Sequence, residues 1–134
     1  MDFLVEKALE SMPANEFGRV NQANIRVIGV CGAGNNMVSW LYKKGIKGAE
    51  IIATNTDVQH LDITGADRKF LIGKDCTRGL GCGGFPNKGA EAAQESLTHI
   101  KEALKSSDMV FVCAGMGGGT GTGAAPVVAQ VAKD

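Results

Sequence analysis

The chain has 134 residues with 14 basic and 14 acidic side chains, so it carries no formal net charge at neutral pH. This length predicts one domain with a buried core, and the balanced charge does not favour nucleic acid or an anionic membrane surface as a partner. No apolar stretch is long enough to span a membrane, and acidic residues near the start argue against a secretory signal.

The first 20 residues are predicted to form a helix and a linker. Apolar residues between Phe3 and Met12 recur at helical spacing, and Pro13 with Gly18 then indicates a break. The helix has two possible positions, against its own domain or against a neighbouring subunit. We therefore divide the chain into this helix and linker, 1–20, and a main domain, 21–134.

The first predicted strand of the main domain, 24–30, runs into a glycine-containing turn at 31–36. The turn is predicted to lead into a helix that begins near Met37. Gly32 and Gly34 match the first two glycines of a dinucleotide-binding fingerprint, but Met37 stands where the third glycine should be. Taken alone, the turn is therefore a weak dinucleotide signal.

A second strand, 50–54, ends in the polar run Asn55-Thr56-Asp57-Val58-Gln59. The carboxylate of Asp57 has two interpretations on local grounds: it binds a ribose, or it caps the next segment in an Asx turn. A third interpretation, a loop beside a nucleotide, depends on the resemblance described below.

The third strand is predicted at 69–73, and a glycine-rich segment follows it at 77–89. Four glycines within six residues make ordering costly, so this segment is either a mobile hinge or a ligand-binding loop.

A helix is predicted from Pro86 to Ser106 because its apolar residues are spaced three and four apart. They are Ala90, Ala93, Leu97, Ile100 and Leu104. The fourth strand, 108–113, is apolar nearly throughout, which predicts that both of its faces are covered.

The longest glycine run follows this strand and leads into the last predicted helix. Its sequence is Gly117-Gly118-Gly119-Thr120-Gly121-Thr122-Gly123, with Pro126 in the first turns of the helix. Glycines allow close backbone approach, threonines add hydroxyl donors, and the helix adds the positive end of its dipole. This combination predicts an anion-binding loop.

Together these motifs resemble the FtsZ family of the tubulin/FtsZ superfamily, over residues 25–133. The alternation of strands and crossovers predicts an α/β fold with a doubly wound parallel sheet. The resemblance implies a truncated nucleotide-binding domain of about four strands in the order 3-2-1-4. Phe85 is a departure, because the family usually has a small polar residue there.

The resemblance also implies a ligand, GTP or GDP, with Mg²⁺ as an additional candidate ion. The implied contact residues lie in four loops: Gly32, Ala33, Gly34, Asn35 and Asn36; Asn55 and Asp57; Gly81, Gly83 and Gly84; and Gly117, Gly118, Gly119, Thr120, Gly121, Thr122 and Gly123.

An intact FtsZ would polymerise for prokaryotic cell division and hydrolyse GTP between subunits. Its guanine-selecting residues and acidic catalytic loop follow the segment matched here, so we expect no catalytic residue and no hydrolysis in this chain alone.

Two other functions remain open: a Rossmann-type dinucleotide-binding module, and an assembly fragment without nucleotide. The four cysteines show no metal-ligand spacing, so no metal site is predicted from them, and reduced thiols in the cytoplasm are expected. Self-association is the expected partnership, because the fourth strand would present an unpaired edge.

Overall fold

The computed structural model describes residues 22–134, so the helix and linker predicted at 1–20 lie outside the described residues. The strands are β1 (Ile25–Val30), β2 (Ala49–Asn55), β3 (Arg68–Leu71) and β4 (Met109–Ala114). The helices are α1 (Cys31–Lys44), α2 (Val58–Ile63), α3 (Lys74–Thr77), α4 (Pro86–Glu95), α5 (Leu97–Leu104) and α6 (Thr120–Lys133). The short helices α2 and α3 occupy connections in which the sequence predicts no helix.

The four strands form one parallel sheet in the order β3-β2-β1-β4, which confirms the predicted topology. β1 lies in the interior of the sheet, where Val27 pairs with Ile51 of β2 on one side and Phe111 of β4 on the other. Because the strands are parallel, the loops that follow them emerge at the same edge.

Helices pack on both faces of the sheet, as a doubly wound fold requires. On one face, Val38 of α1 and Leu61 of α2 are buried with apolar residues of β1 and β2. On the other face, Ile28 and Ile52 are fully buried with residues of α4, α5 and α6, among them Val128. Both faces are apolar because neither face of the central strands meets water.

The first helix begins earlier than predicted. The sequence analysis placed its start near Met37, but α1 begins at Cys31, directly after the extended residue Val30. Cys31 adopts a φ of 79°, which is uncommon for a residue with a side chain and redirects the chain within one position. The turn predicted at 31–36 is therefore the first part of the helix.

The single helix predicted from Pro86 to Ser106 is divided at Ser96. This residue leaves the helical region, with φ −100° and ψ 18°, and its hydroxyl accepts a hydrogen bond from the Gly73 amide at 3.0 Å. The apolar stripe continues across the break, since Ala93, Ile100 and Leu104 are buried. Periodicity alone could not show the break, because the stripe stays in phase.

The prediction that both faces of β4 are covered is wrong. Met109 and Phe111 are each 52% exposed, and they alternate with the half-buried Val110 and Val112. The inward residues pack on the α4–α6 side. On the other face, α1 reaches β4 closely at its carboxyl end, where a Cβ built on Gly34 would overlap the carbonyl of Cys113.

Helices α4 and α6 approach each other through glycine. A Cβ built on Gly89 of α4 would overlap the carbonyl oxygen of Gly119. A Cβ built on Gly123 of α6 would overlap the carbonyl oxygen of Pro86 and would lie 2.6 Å from the nitrogen of Ala90. The contact therefore joins backbone to backbone, and it holds the starts of the two helices together.

Replacing Gly123 with alanine tests this contact. We expect Gly123→Ala to lower the free energy of unfolding by about 1–3 kcal/mol, the usual cost of inserting a carbon into a packed interior. Urea unfolding followed by far-ultraviolet circular dichroism measures the change.

Gly118→Ala is the matched control, because no atom lies within 4 Å of a Cβ built there and its φ is not positive. Equal unfolding midpoints for the two variants would contradict the proposed close contact.

Candidate functional site

The candidate site lies at the edge of the sheet where the strands end. The predicted contact residues lie in the first turns of α1, in the segments after β2 and β4, and in the loop between α3 and α4, and the structure brings all four to this edge. Helices α1 and α6 begin here, and α4 begins beside α6, because a Cβ built on Gly119 would lie 2.8 Å from the nitrogen of Phe85. Helix N-termini favour anions through their free amides and dipoles.

The loop between β4 and α6 is the most open part of this edge. Gly117 has a φ of 101°, and its amide donates to Thr122 Oγ1 at 2.9 Å. A Cβ on Gly117 or Gly118 would meet no atom within 4 Å, and both residues are exposed. No side chain caps α6. The geometry therefore offers space and uncapped backbone amides to a small anion.

The other glycines of this run serve packing. A Cβ on Gly121 would overlap the carbonyl of Gly115, and the corresponding positions of Gly119 and Gly123 meet the start of α4. Thr120 is buried and Thr122 is half-buried. The seven predicted contact residues thus separate into an open pair, Gly117 and Gly118, and a set that fixes the loop in place.

The residues predicted after β1 occupy the first turns of α1. Ala33 and Asn36 are exposed and Gly32 is half-buried, so these three border the open edge. Gly34 is buried against β4.

Asn35 points into the protein. Its side chain is fully buried, and with the amide oriented to satisfy its neighbours, Nδ2 donates to Gly29 O at 3.0 Å and Thr54 O at 3.2 Å. Its Oδ1 then accepts from Asn55 Nδ2 at 3.3 Å. The described side chain therefore ties α1 to β1 and β2 from beneath the site.

Asn55 and Asp57 also hydrogen-bond within the protein. Asn55 Oδ1 accepts from the amides of Thr56 at 2.8 Å and Asp57 at 3.3 Å. Asp57 Oδ1 accepts from the amides of Gln59 at 3.0 Å and His60 at 3.2 Å, and so caps α2. These hydrogen bonds confirm the Asx-turn interpretation of Asp57. Asp57 also lies two residues after β2, at the edge of the sheet where the strands end.

The loop between α3 and α4 needs its glycines for their backbone conformation. Gly79, Gly81, Gly83 and Gly84 all have φ values between 59° and 83°. Two hydrogen bonds hold this loop to the segment after β2, since Val58 N donates to Gly79 O and Gly81 N donates to Thr56 O. A third, from Phe85 N to Cys82 O, lies within the loop.

Exposed apolar side chains border the same loop. Leu80 is 83% exposed and Phe85 is 67% exposed. Phe85 is the position that departs from the family pattern, and here it is the residue before the first turn of α4.

The sequence analysis includes Thr56 in a predicted loop beside the ligand but does not identify it as a site residue. Its side chain is fully buried, and Thr56 Oγ1 lies 2.7 Å from Thr120 Oγ1. The available signal was its position between two predicted contact residues, immediately after a buried strand. Its partner is 64 residues away along the chain, so local pattern could not identify the contact.

Comparison with protein families gives a match over nearly all the described residues. A family model described as "Tubulin/FtsZ family, GTPase domain" matches residues 24–134. Cell division protein FtsZ 2 of Methanocaldococcus jannaschii is 57% identical over 120 residues, which cover 90% of this chain and 31% of that protein. Cell division protein FtsZ 2 of Pyrococcus furiosus is 50% identical over 134 residues, which cover 100% of this chain and 33% of that protein.

Solved structures agree with this match. An M. jannaschii structure titled "FtsZ dimer, empty" aligns with a TM-score of 0.86 and 52% identity, covering 96% of this chain and 36% of the other. The protofilament of CetZ2 from Haloferax volcanii, bound to GTPγS, aligns with a TM-score of 0.71 and 32% identity. The alignment covers 80% of this chain and 35% of the CetZ2 chain. The chain spans about a third of the length of the relatives it matches.

The carboxylate of Glu95 lies beside α3, near the thiol of Cys76. Glu95 accepts from the amides of Asp75 and Cys76, both at 3.0 Å, and these backbone hydrogen bonds lower the pKa of Glu95. Burial raises the pKa of the Cys76 thiol to about 11, and a hydrogen bond to Glu95 and its charge act in the same direction. The two groups favour a neutral thiol beside an ionised carboxylate.

The reactivity of Cys76 should reflect this raised pKa. A higher pKa reduces the thiolate fraction, so we expect alkylation at pH 8 to be at least about tenfold slower in the folded chain than in urea, allowing for the higher nucleophilicity of a more basic thiolate. The folded rate should still be rising with pH above 9. Iodoacetamide labelling, followed by peptide mass spectrometry, measures the rate.

Glu95→Gln should accelerate labelling of Cys76, but not to the rate in urea, because burial still raises the pKa of the thiol. Glu102→Gln, on exposed α5 surface, is the control and should leave the rate unchanged. Equal labelling rates for Cys76 in the folded and unfolded chains would contradict the raised pKa.

Proposed function

Because the chain belongs to the tubulin/FtsZ family of GTPase domains, we propose that its loop edge binds GTP or GDP through the phosphate groups. The observation that carries the proposal is the open backbone at Gly117 and Gly118, next to the uncapped start of α6. The uncapped amides at the start of α6 and the helix dipole would stabilise an anion there. A side chain at either glycine would fill the space that a phosphate needs.

The loop after β1 supplies the opposite border of the proposed phosphate site. Gly32 and Ala33 present accessible backbone at the start of α1, and Asn36 presents an exposed side chain. Asn35 and Asn55 support the edge through their buried hydrogen bonds. We place Gly81, Gly83 and Gly84 near the terminal phosphates, where their positive-φ backbone can approach a ligand closely.

Any Mg²⁺ that accompanies the nucleotide would be held mainly by phosphate oxygens and water. Among residues 22–134, no group of three or more His, Cys, Asp or Glu side chains is placed to hold a metal ion. Mg²⁺ commonly takes few protein ligands when it is bound with a nucleotide.

The activity of the whole protein is part of the proposal. We propose that it polymerises in prokaryotic cell division and hydrolyses GTP between subunits. The support comes from relatives named as cell division proteins, a structure titled as a dimer and another titled as a protofilament. The chain itself spans about a third of such a protein.

We propose further that this chain alone does not hydrolyse GTP above background. The open groups of the proposed site are backbone amides, glycine surfaces and the Asn36 side-chain amide, which can bind and orient phosphate. The Asp57 carboxylate already accepts two amides as the cap of α2. Phosphoryl transfer also requires a group that orients or activates the attacking water.

A cytoplasmic location is proposed on the state of the thiols. Cys31, Cys76, Cys82 and Cys113 are free, which is typical of a reducing compartment. Within residues 22–134, no helix has the length and apolar character needed to cross a membrane.

Nucleotide retention is the direct test of the proposed function. We expect the purified chain to bind GTP and GDP more tightly than NAD or ATP in calorimetric titrations. Gly118→Ala should weaken GTP binding at least about tenfold, because the added methyl group would occupy the open space through which the backbone approaches phosphate.

Gly48→Ala is the control for backbone strain outside the proposed site: its φ of 86° makes alanine unfavourable there, and GTP affinity should nevertheless stay unchanged. Preferential binding of NAD would instead support a dinucleotide-binding module, and binding of no nucleotide would support an assembly fragment. In the same samples, phosphate release proportional to chain concentration would contradict the proposed lack of hydrolysis.

The exposed edge of β4 generates a prediction of self-association. Within the described sheet, β4 pairs on one side only, and Met109 and Phe111 are half exposed beside that edge. A second copy would cover both the apolar side chains and the unpaired backbone groups. We expect a homo-oligomer at high micromolar concentration in multi-angle light scattering.

Phe111→Lys should shift this equilibrium towards the monomer, because the charge would be buried at the contact. Ile63→Lys is the control: it places the same charge at another exposed apolar residue, which is 82% exposed on α2, and it should leave the oligomer equilibrium unchanged. A monomeric wild-type chain at that concentration would contradict the prediction.

A further inference from the structure

Thr56 joins three of the loops that meet at the candidate site. Its Oγ1 lies 2.7 Å from Thr120 Oγ1 at the start of α6, and Cys82 Sγ lies 3.5 Å from the same oxygen. Its carbonyl accepts from the amide of Gly81 at 3.0 Å and the hydroxyl of Thr77 at 3.3 Å. Thr56 is fully buried, so these contacts are made without competition from water.

A direction for the hydroxyl contact can be assigned from the protons that the three groups can donate. Each threonine hydroxyl has one proton to donate, and either oxygen could be the donor in the Thr56–Thr120 contact. The Cys82 thiol donates to Thr56 Oγ1. Thr56 can therefore accept from Cys82 and donate its own proton to Thr120 Oγ1, which completes a chain of three groups.

This direction leaves the Thr120 proton available. Among the hydrogen bonds of the described residues, Thr120 Oγ1 has only the contact with Thr56. Thr120 is the first residue of α6 and directly follows Gly119, beside the open backbone of Gly117 and Gly118. A hydroxyl proton at this place can be donated to an anion at the start of the helix.

We infer that Thr56 is a positioning residue for nucleotide binding: by donating to Thr120 Oγ1, it orients the Thr120 hydroxyl as a donor to a phosphate oxygen. The inference rests on the proposed function. Thr56 itself does not touch the ligand, since its side chain lies beneath the loops. The same residue holds Gly81 through its carbonyl, so it links the glycine loop before α4 to the start of α6.

Thr56→Val tests the role of the hydroxyl, because valine keeps the shape of threonine and removes its donor. GTP affinity should fall about tenfold, the size expected for one lost hydrogen bond. Thr56→Ser retains the hydroxyl and should restore affinity to within about twofold of wild type. Thr64→Val is the matched control: it removes another buried threonine hydroxyl, which donates to His60 O at 2.8 Å, away from the loop contacts.

A double variant tests whether Thr56 acts through Thr120. Thr120→Val should weaken GTP binding about 10- to 100-fold, since a hydrogen bond to a charged group is lost. Adding Thr56→Val to Thr120→Val should then weaken binding no further, because the hydroxyl that Thr56 orients is already absent. Additive losses would contradict the inference.

Hydrogen–deuterium exchange without nucleotide separates this inference from the proposed function. Thr56→Val should accelerate exchange in peptides that contain 81–85 and 117–122, and Thr64→Val should not. Circular dichroism checks that each variant is folded. If the Thr56→Val chain does not fold, the GTP affinities of Thr56→Ser, Thr120→Val and wild type test the inference instead.

Each outcome has a distinct meaning. A wild-type chain that binds no GTP overturns the proposed function and, with it, the role of Thr56 in binding. A wild-type chain that binds GTP, together with a folded Thr56→Val variant of equal affinity and equal loop exchange, overturns the inference alone. If Thr56→Val does not fold, equal GTP affinity of wild type and Thr120→Val overturns it.

Discussion

The parallel pairing of β1 with both β2 and β4 is the constraint on which the candidate site depends. The three strands are in register from Ile25 to Val30, so their carboxyl ends stop at one level. The chain must then turn at that level after each strand, and it does so at Cys31 after β1, through Asn55, Thr56 and Asp57 after β2, and through a glycine run after β4. Residues far apart in the sequence become neighbours there, as Thr56 and Thr120 do. The site is thus a consequence of the sheet geometry before it is a property of any single loop.

Glycine has two separate physical uses at this edge. Gly117 takes a positive φ and, with Gly118, leaves space in front of the backbone. Gly34, Gly89 and Gly123 instead allow backbone atoms of neighbouring elements to touch. A motif of repeated glycines therefore mixes residues that admit a ligand with residues that admit another part of the chain. The sequence does not distinguish them, because the difference depends on what faces each Cα.

The strands and their order were predictable, because apolar runs mark buried parallel strands and the motif resemblance supplies the order. The start of α1 was not, since it depends on a cysteine in a left-handed conformation at Cys31. The break at Ser96 was hidden by an apolar stripe that stays in phase. For the site, the loops were predicted, but the direction of individual side chains was not. Asn35 lies in a polar, glycine-containing segment and is nevertheless fully buried, with its amide against backbone carbonyls. That outcome depends on Gly29 and Thr54, which come from two different strands.

The contact between α4 and α6 has a mechanical consequence. Side chains that lie between two helices can change rotamer when one helix shifts, and so they can accommodate part of the shift. At Gly89 and Gly123 no such side chain exists, and peptide groups rest directly on one another. We therefore expect the starts of these two helices to move together, so that a displacement of the segment before Pro86 would also displace Gly119.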